Sequence, residues 1–157
     1  MLLIDAYNVL HTTMPPVLAG LDEAGLCVAL KRSAFRRHHA VVVCDGRVKP
    51  LGPESSPVDG VEIVYSGSSR SADDVIIDRI DASSTPRRLT VVSTDRQIRA
   101  AARRRRCRSL TSDAFIAAVA ESLDRTPPPP RNAKPGGPLS DDQVRRWLDH
   151  FGIDDSP

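Results

Sequence analysis

Short apolar runs alternate with segments of helical periodicity over the first 123 residues of this chain. The runs are rich in β-branched residues, and they are LLI (2–4), AVVVC (40–44), VEIVY (61–65), LTVV (89–92) and the weaker CRSL (107–110). Because such runs are apolar on both faces, they are typical of parallel strands buried between two layers of helices. The alternation therefore predicts an α/β fold, a three-layer Rossmann-like parallel sheet with helices on both faces, over residues 1–123.

The segments between the runs have the spacing of amphipathic helices. We predict helices over residues 22–37, 71–80, 95–106 and 112–123. In the first of them, one apolar face is formed by Leu26, Ala29, Leu30 and Phe35. In the second, Val75, Ile76 and Ile80 share a face.

The composition changes after residue 123. Six prolines and two glycines fall within residues 124–138, so we predict a semi-rigid, proline-rich linker over 124–139. Residues 140–157 are predicted to form an amphipathic helix and a tail, because a capping box at 140–143 precedes an apolar face. That face consists of Val144, Trp147, Leu148 and Phe151. It has to be buried against its own domain, a second copy or another protein, and the sequence leaves these three alternatives open.

Several classes of protein are disfavoured by composition. No apolar stretch is long enough for a membrane span, and the N-terminal run lacks the basic region of a signal peptide. The three widely spaced cysteines fit neither a zinc site nor a disulfide framework, so we expect a cytoplasmic protein. The net charge of +2 says little about partners, and only the distribution of charge is informative.

Aspartates follow the predicted strands. Asp5, Asp45 and Asp95 come directly after, or a few residues after, three of the apolar runs, and Asp73 and Asp74 begin the helix that follows a fourth. In a parallel α/β sheet these positions all lie at the carboxyl edge, where ligands bind. Each aspartate alone is more often a turn or a helix cap. Together they predict one acidic site.

Carboxylates brought close together repel one another unless a cation lies between them. Oxygen ligands without His or Cys suit Mg²⁺ or Mn²⁺, which can activate water and neutralise charge on a phosphodiester. Other catalytic motifs are not found: the sequence has no nucleophile elbow, no Walker or dinucleotide-binding motif, and no D-x-D-x-T motif of an aspartyl phosphotransferase.

At these residues the sequence resembles the YacP-like branch of the NYN domain proteins, which belong to the PIN-like nuclease superfamily. The resemblance rests on LLIDAYNVLH (2–11), VVVCDG (41–46), SADDVIIDRI (71–80) and LTVVSTDRQIRAAA (89–102), and it covers about residues 1–120. One departure is Ala6, which stands where Gly is common before the Tyr-Asn pair.

The resemblance implies a PIN-like fold and metal-dependent cleavage of RNA. Carried over by position, it implies that Asp5, Asp73 and Asp95 are metal ligands. Asp45 and Asn8 are implied to complete the catalytic site, and Asp74 has a weaker claim as a metal ligand.

Basic and aromatic residues at the same edge are candidates for contact with RNA. Arg47, Arg70 and Arg96 lie in or beside the predicted loops there, where each either contacts phosphate or pairs with the acids. Tyr7 either stacks on a base or packs in the core.

Two functions of different classes follow. The leading hypothesis is an endoribonuclease that depends on Mg²⁺ or Mn²⁺. The alternative is an RNA-binding or ribosome-associated adaptor on a nuclease-like scaffold, which grips a protein partner through the helix at 140–151. The clustered acids speak against the adaptor, because they repel RNA unless a metal neutralises them.

Overall fold

A computed structural model describes residues 1–48 and 52–125 of the chain. Its five strands form one parallel sheet in the order β3-β2-β1-β4-β5. The strands are β1 (Leu2–Asp5), β2 (Ala40–Cys44), β3 (Val61–Tyr65), β4 (Thr90–Val92) and β5 (Arg108–Leu110). All five apolar runs therefore form strands, including the weak fifth one, and the predicted α/β fold is confirmed.

The described residues also contain five α-helices and two short 3₁₀ helices. The α-helices are α1 (Ala6–Leu10), α2 (Glu23–Arg32), α3 (Ala72–Asp81), α4 (Arg96–Arg104) and α5 (Ser112–Asp124). The 3₁₀ helices are Pro16–Leu18 and Pro86–Arg88. The four predicted helices correspond to α2 through α5.

The sheet is covered on both faces, and β1 shows how. Leu2 and Ile4 belong to one apolar cluster, whereas Leu3 between them belongs to the other. The first cluster includes side chains of α1, α2 and α5, and the second includes side chains of α3 and α4. Because successive residues of a strand point to opposite faces, this division requires three layers. The predicted three-layer architecture is thus confirmed.

Two helices differ from the prediction. The predicted helix at 22–37 ends at Arg32, because the Ser33 hydroxyl donates to the Leu30 carbonyl and accepts from the Phe35 amide. Phe35 still packs against the core from the loop that follows. The helix α1 was not predicted, since a single turn is too short to show a periodic pattern.

The direction of strand order reverses at β1. Leu3 is paired with Val41 of β2 on one side and with Val91 of β4 on the other. The chain fills the sheet from β1 to β3, crosses back, and continues beyond β1 with β4 and β5. Such a reversal leaves a crevice at the carboxyl ends of the two central strands, which is the usual place for a ligand.

The linker predicted over 124–139 and the helix and tail predicted over 140–157 lie outside the described residues, apart from the end of α5 and Arg125. They remain predictions. Within the part of the chain that the structure describes, no helix combines the length and apolarity that a membrane crossing requires.

Candidate active site

Asp5 ends the central strand and is 1% exposed. It is the N-cap of α1, and its Oδ1 accepts from the Asn8 amide at 3.1 Å. Its Oδ2 accepts from the Asn8 side chain at 2.6 Å and from the Ser93 hydroxyl at 2.9 Å. These hydrogen bonds fix the carboxylate at the reversal point of the sheet, and they explain why Asn8 follows Asp5 by three residues.

Ser93 connects two of the predicted acids. Its hydroxyl donates to Asp5 and accepts from the Asp95 amide at 3.0 Å, and the residue is completely buried. Sequence reasoning missed this residue, although the motif that contains it, Ser-Thr-Asp after a strand, was noted. A polar residue directly after a buried strand was the available signal.

Asp95 is held by the helix that it begins. Its Oδ1 accepts from the amides of Gln97 at 2.7 Å and Ile98 at 3.1 Å, so Asp95 is the N-cap of α4. This oxygen therefore has the ordinary role of a helix cap. The other oxygen has no hydrogen bond within residues 1–48 and 52–125, so capping leaves half of the carboxylate available.

Asp45 is tied to the loop that leads into α3. Its Oδ1 accepts from the Ser66 hydroxyl at 3.1 Å and from the Ala72 amide at 3.0 Å. The second contact joins the end of β2 to the first residue of α3. It thereby holds the start of that helix, and the adjacent Asp73, beside the carboxyl edge of the sheet.

The neighbours Asp73 and Asp74 have different surroundings. Asp74 forms a capping box with Ser71: its amide donates to the Ser71 hydroxyl, and its carboxylate accepts from the Ser71 amide. These hydrogen bonds lower the pKa of Asp74. Asp73 is partly buried, and its carboxylate has no hydrogen bond to any other described residue.

The pKa of Asp73 is raised. Burial is the largest cause, followed by the negative charges of Asp5, Asp95, Asp45 and then Asp74. Negative charges raise the pKa of a carboxyl group in this way only when they lie close to it. The charges of the other four predicted acids therefore act on Asp73, and no hydrogen bond among the described residues offsets their repulsion.

A pocket of about 310 Å³ opens at this place. Its lining includes Asp5, Asn8, Asp45, Asp73 and Tyr7, all of which were predicted as site residues. Asp95 is not among the lining residues. It is connected to the site by the hydrogen bond from its amide to Ser93, and its negative charge contributes to the raised pKa of Asp73. Tyr7 is 62% exposed, so it lies at the surface of the pocket and is not packed in the core.

The sequence matches the family model described as YacP-like NYN domain over residues 2–134. The chain belongs to this family. No curated protein gives a significant match. Among solved structures, Rae1 (YacP) from Bacillus subtilis is similar at 16% identity, with a TM-score of 0.61, over 97% of this chain and 83% of that chain. The W164L mutant of the same protein matches at 18% identity, with a TM-score of 0.54, over 79% of this chain and 76% of that chain. At these identities the structural likeness supports the fold alone.

NYN domains have a nuclease scaffold of the ribonuclease type, and they usually use divalent metals. The donor set of this NYN domain suits such an ion, because it consists of carboxylate and amide oxygens. Among the described residues, however, no three Asp, Glu, His or Cys side chains converge closely enough to hold one ion. The chemistry of the site fits a hard cation, but the side chains do not form a closed shell.

The basic candidates of this NYN domain belong to the segments that follow β2, β3 and β4, two of them in loops and the third in a helix. Arg47 donates to the Ser68 hydroxyl at 3.1 Å, and Arg70 forms an ion pair with Asp78. Arg96 is the exposed first residue of α4, next to Asp95. Arg70 is therefore paired with an acid of the helix that follows it, α3, and not with the acids of the pocket.

Proposed function

We propose that this NYN domain is an endoribonuclease that depends on Mg²⁺ or Mn²⁺ and cleaves RNA phosphodiester bonds. The observation that carries the proposal is Asp73. This carboxylate lines the pocket at the reversal point, feels the charge of four other acids, and lacks a hydrogen bond among the described residues. Membership of a family with a nuclease scaffold supports the same conclusion.

Asp5, Asp73 and Asp95 are the residues that would hold the ion in this proposal, with Asp45 and Asn8 at its border. A bound cation of this kind lowers the pKa of water and neutralises charge on the phosphodiester. Mg²⁺ commonly binds through one or two carboxylates and takes its other ligands from water and substrate phosphates. The open arrangement supports this mode, and relief of repulsion would let the carboxylates approach one another.

The hydrogen bonds of the site suggest a division of labour. Asp5 accepts three hydrogen bonds from Asn8 and Ser93, so its carboxylate is fixed in place and would offer the ion one lone pair on Oδ1. Asp73 and the open oxygen of Asp95 are freer to move toward a ligand. Asp74 is engaged in its capping box, and we therefore assign the ligand role to Asp73.

Substrate RNA would meet the basic side chains of the same edge. We propose that its phosphates are contacted by Arg47, Arg70 and Arg96. These positive charges would offset the repulsion between the phosphates and the acids. The exposed ring of Tyr7 is proposed to stack on a base. We place the enzyme in the cytoplasm, a proposal supported by an odd number of cysteines without disulfide spacing.

The adjacent aspartates provide a matched test. Purified wild-type protein, Asp73→Asn and Asp74→Asn are incubated with labelled single-stranded and structured RNA in Mn²⁺ or Mg²⁺, and in EDTA. Both substitutions remove one charge from the same turn of α3. We expect cleavage by the wild type in metal only, complete loss in Asp73→Asn, and near wild-type cleavage by Asp74→Asn. Asp5→Asn and Asp95→Asn should also be inactive while remaining folded by circular dichroism.

The second candidate is the RNA- or ribosome-associated adaptor, and one observation favours it. The described residues contain no group of three ligands poised around one ion. The same experiment separates the two functions. RNA that binds equally well in EDTA and is never cut would favour the adaptor. Metal-dependent cleavage that persists at the wild-type rate in Asp73→Asn would contradict the assignment of the metal site.

A further inference from the structure

A second pocket of about 310 Å³ lies next to the candidate active site. The two pockets share Tyr7 and Asp45 as lining residues. The lining of the second pocket also includes His11, Leu21, Asp22 and Glu23. The proposed cleavage reaction gives no role to these four side chains. Its volume is in the range of small-ligand sites, and it adjoins the place where the phosphodiester would lie.

The pocket has an exposed pair of stacked rings. The centroids of Tyr7 and His11 are 4.1 Å apart, and the two planes are inclined by 27°. The His11 Nδ1 lies 2.8 Å from the Tyr7 carbonyl oxygen. A carbonyl oxygen only accepts, so Nδ1 donates this hydrogen bond. The rings of Tyr7 in α1 and of His11, its C-cap, thus form an aromatic surface of the kind on which nucleobases stack.

The polar side chains of this pocket mainly accept hydrogen bonds. No Lys or Arg is found among its described lining residues, whereas Asp22, Glu23 and Asp45 contribute carboxylates. Asp22 uses Oδ1 to accept from the Gly25 amide at 2.7 Å as the N-cap of α2. Its Oδ2 has no hydrogen bond to another described residue. A base bound here has to present donors to these oxygens.

The four bases differ in how they meet a carboxylate. The Watson–Crick edge of guanine has two adjacent donors, N1–H and the N2 amino group, which match the two oxygens of a carboxylate. Adenine and cytosine each have one exocyclic amino donor beside a ring nitrogen that accepts. Uracil has a single N–H between two carbonyl oxygens, and these would face the carboxylates unfavourably. Acceptors left unmatched in this way are disfavoured when a ligand buries them.

We propose that this pocket is a guanine-selective subsite, in which the base stacks on the Tyr7–His11 pair and donates to Asp22. The inference rests on the proposed ribonuclease function and adds a preference for guanine next to the cleaved phosphodiester. Because the two pockets share Tyr7 and Asp45, the base in this proposal belongs to a nucleotide adjacent to the reacting phosphate.

The test measures binding without cleavage. The full chain is titrated in EDTA with each of the four nucleoside 5′-monophosphates, and the ring resonances of Tyr7 and His11 are followed by NMR. The common phosphate makes the base the only variable. We expect GMP to bind about tenfold more tightly than UMP, with AMP and CMP between them. Four equal affinities, or no shift of either ring, would overturn the proposal.

Matched variants identify the groups responsible. Tyr7→Phe keeps the ring and should bind GMP as the wild type does, whereas Tyr7→Ala should bind every nucleotide about tenfold more weakly. Asp22→Asn keeps the helix cap, since Asn caps as well as Asp, and it should remove the preference for GMP while AMP binding is retained. Unchanged selectivity in Asp22→Asn refutes the role of that carboxylate.

Failure of this inference and failure of the proposed function are distinguishable. Cleavage of oligonucleotides that differ only in guanine or uracil beside the cut site is measured separately in Mn²⁺. Equal cleavage of the two would leave a nuclease without this subsite. Selective GMP binding without cleavage of any RNA would leave a guanine-binding pocket on a protein that is not a nuclease.

Discussion

Replacing Asp73 by Asn should stabilise the fold and abolish activity at the same time. In the folded protein the pKa of Asp73 is raised, first by burial and then by the charges of Asp5, Asp95 and Asp45. The folded chain therefore binds that proton more tightly than the unfolded chain does. Ionisation of Asp73 destabilises the fold, and an uncharged amide of the same shape removes this penalty.

The size of the gain follows from the exposure of the side chain. Because Asp73 is only partly buried, solvent screens the repulsion, and we expect a gain of about 0.2 to 1 kcal/mol at neutral pH and low salt. For a domain of this size, such a gain corresponds to a rise in Tm of about 0.4 to 4 °C. Thermal unfolding followed by circular dichroism at several pH values measures it.

The dependence on pH has a definite sign. The stabilising contribution of a raised acid pKa is fully present below the unfolded pKa and is lost as pH rises through the folded pKa. The advantage of Asp73→Asn should therefore be largest at neutral pH and disappear in acid. It should also shrink in high salt, where the charges of the cluster are screened.

Asp74→Asn is the matched control for this prediction. It removes the same charge one residue away, but Asp74 has a lowered pKa because of its hydrogen bonds with Ser71. This variant should lose stability at neutral pH, and its deficit should disappear as pH falls through the folded pKa. If the two variants shift Tm in the same direction, or if Asp73→Asn is destabilised at neutral pH, the reasoning about the acid cluster is wrong.

The effect of a divalent cation on Tm is an independent test of the same site. A ligand that binds only the folded state raises its stability by an amount that grows with concentration. Mn²⁺ should raise the Tm of the wild type and of Asp74→Asn, and it should have little effect on Asp73→Asn. An equal rise in all three proteins would mean that the ion binds elsewhere.

Three further predictions concern residues behind the site. Ser93→Ala removes a buried hydrogen bond to Asp5. It should lower the free energy of unfolding, measured by urea titration, by about 1.5 to 3 kcal/mol and should reduce cleavage. Unchanged stability and cleavage would exclude the role of Ser93 as a bridge between Asp5 and Asp95. Phe115→Ala leaves a cavity at a fully buried core position and should lower the free energy of unfolding by about 3 to 5 kcal/mol. A smaller loss would mean that neighbouring side chains move to fill the cavity. Burial raises the pKa of the Cys27 thiol, so a thiol reagent should modify Cys27 at the rate of unfolding, and rapid modification of the native protein would contradict its burial.

The fold was predictable because its signals are local and repeated. Each strand is an apolar run, and β3, β4 and β5 are each followed by a helix with a clear face, so these elements do not depend on distant contacts for their identification. The end of α2 was less predictable, since it depends on the side chain of Ser33 and not on periodicity. The helix α1 was hidden because its five residues hold only one turn.

The candidate site was predictable as a set of acids but not in its internal order. Parallel topology brings strand-end residues to one edge whatever their details, so Asp5, Asp45 and Asp95 could be grouped from sequence alone. The roles of Asp73 and Asp74 could not be separated in this way, because both begin the same helix. In the structure, the contacts of Ser71 and the burial of Asp73 in the pocket distinguish them. One acid satisfies the helix N-terminus, and this leaves the other without a hydrogen bond among the described residues, with its charge directed toward the cluster. A helix start with two consecutive aspartates can therefore serve capping and ligand binding together, since each function takes one carboxylate.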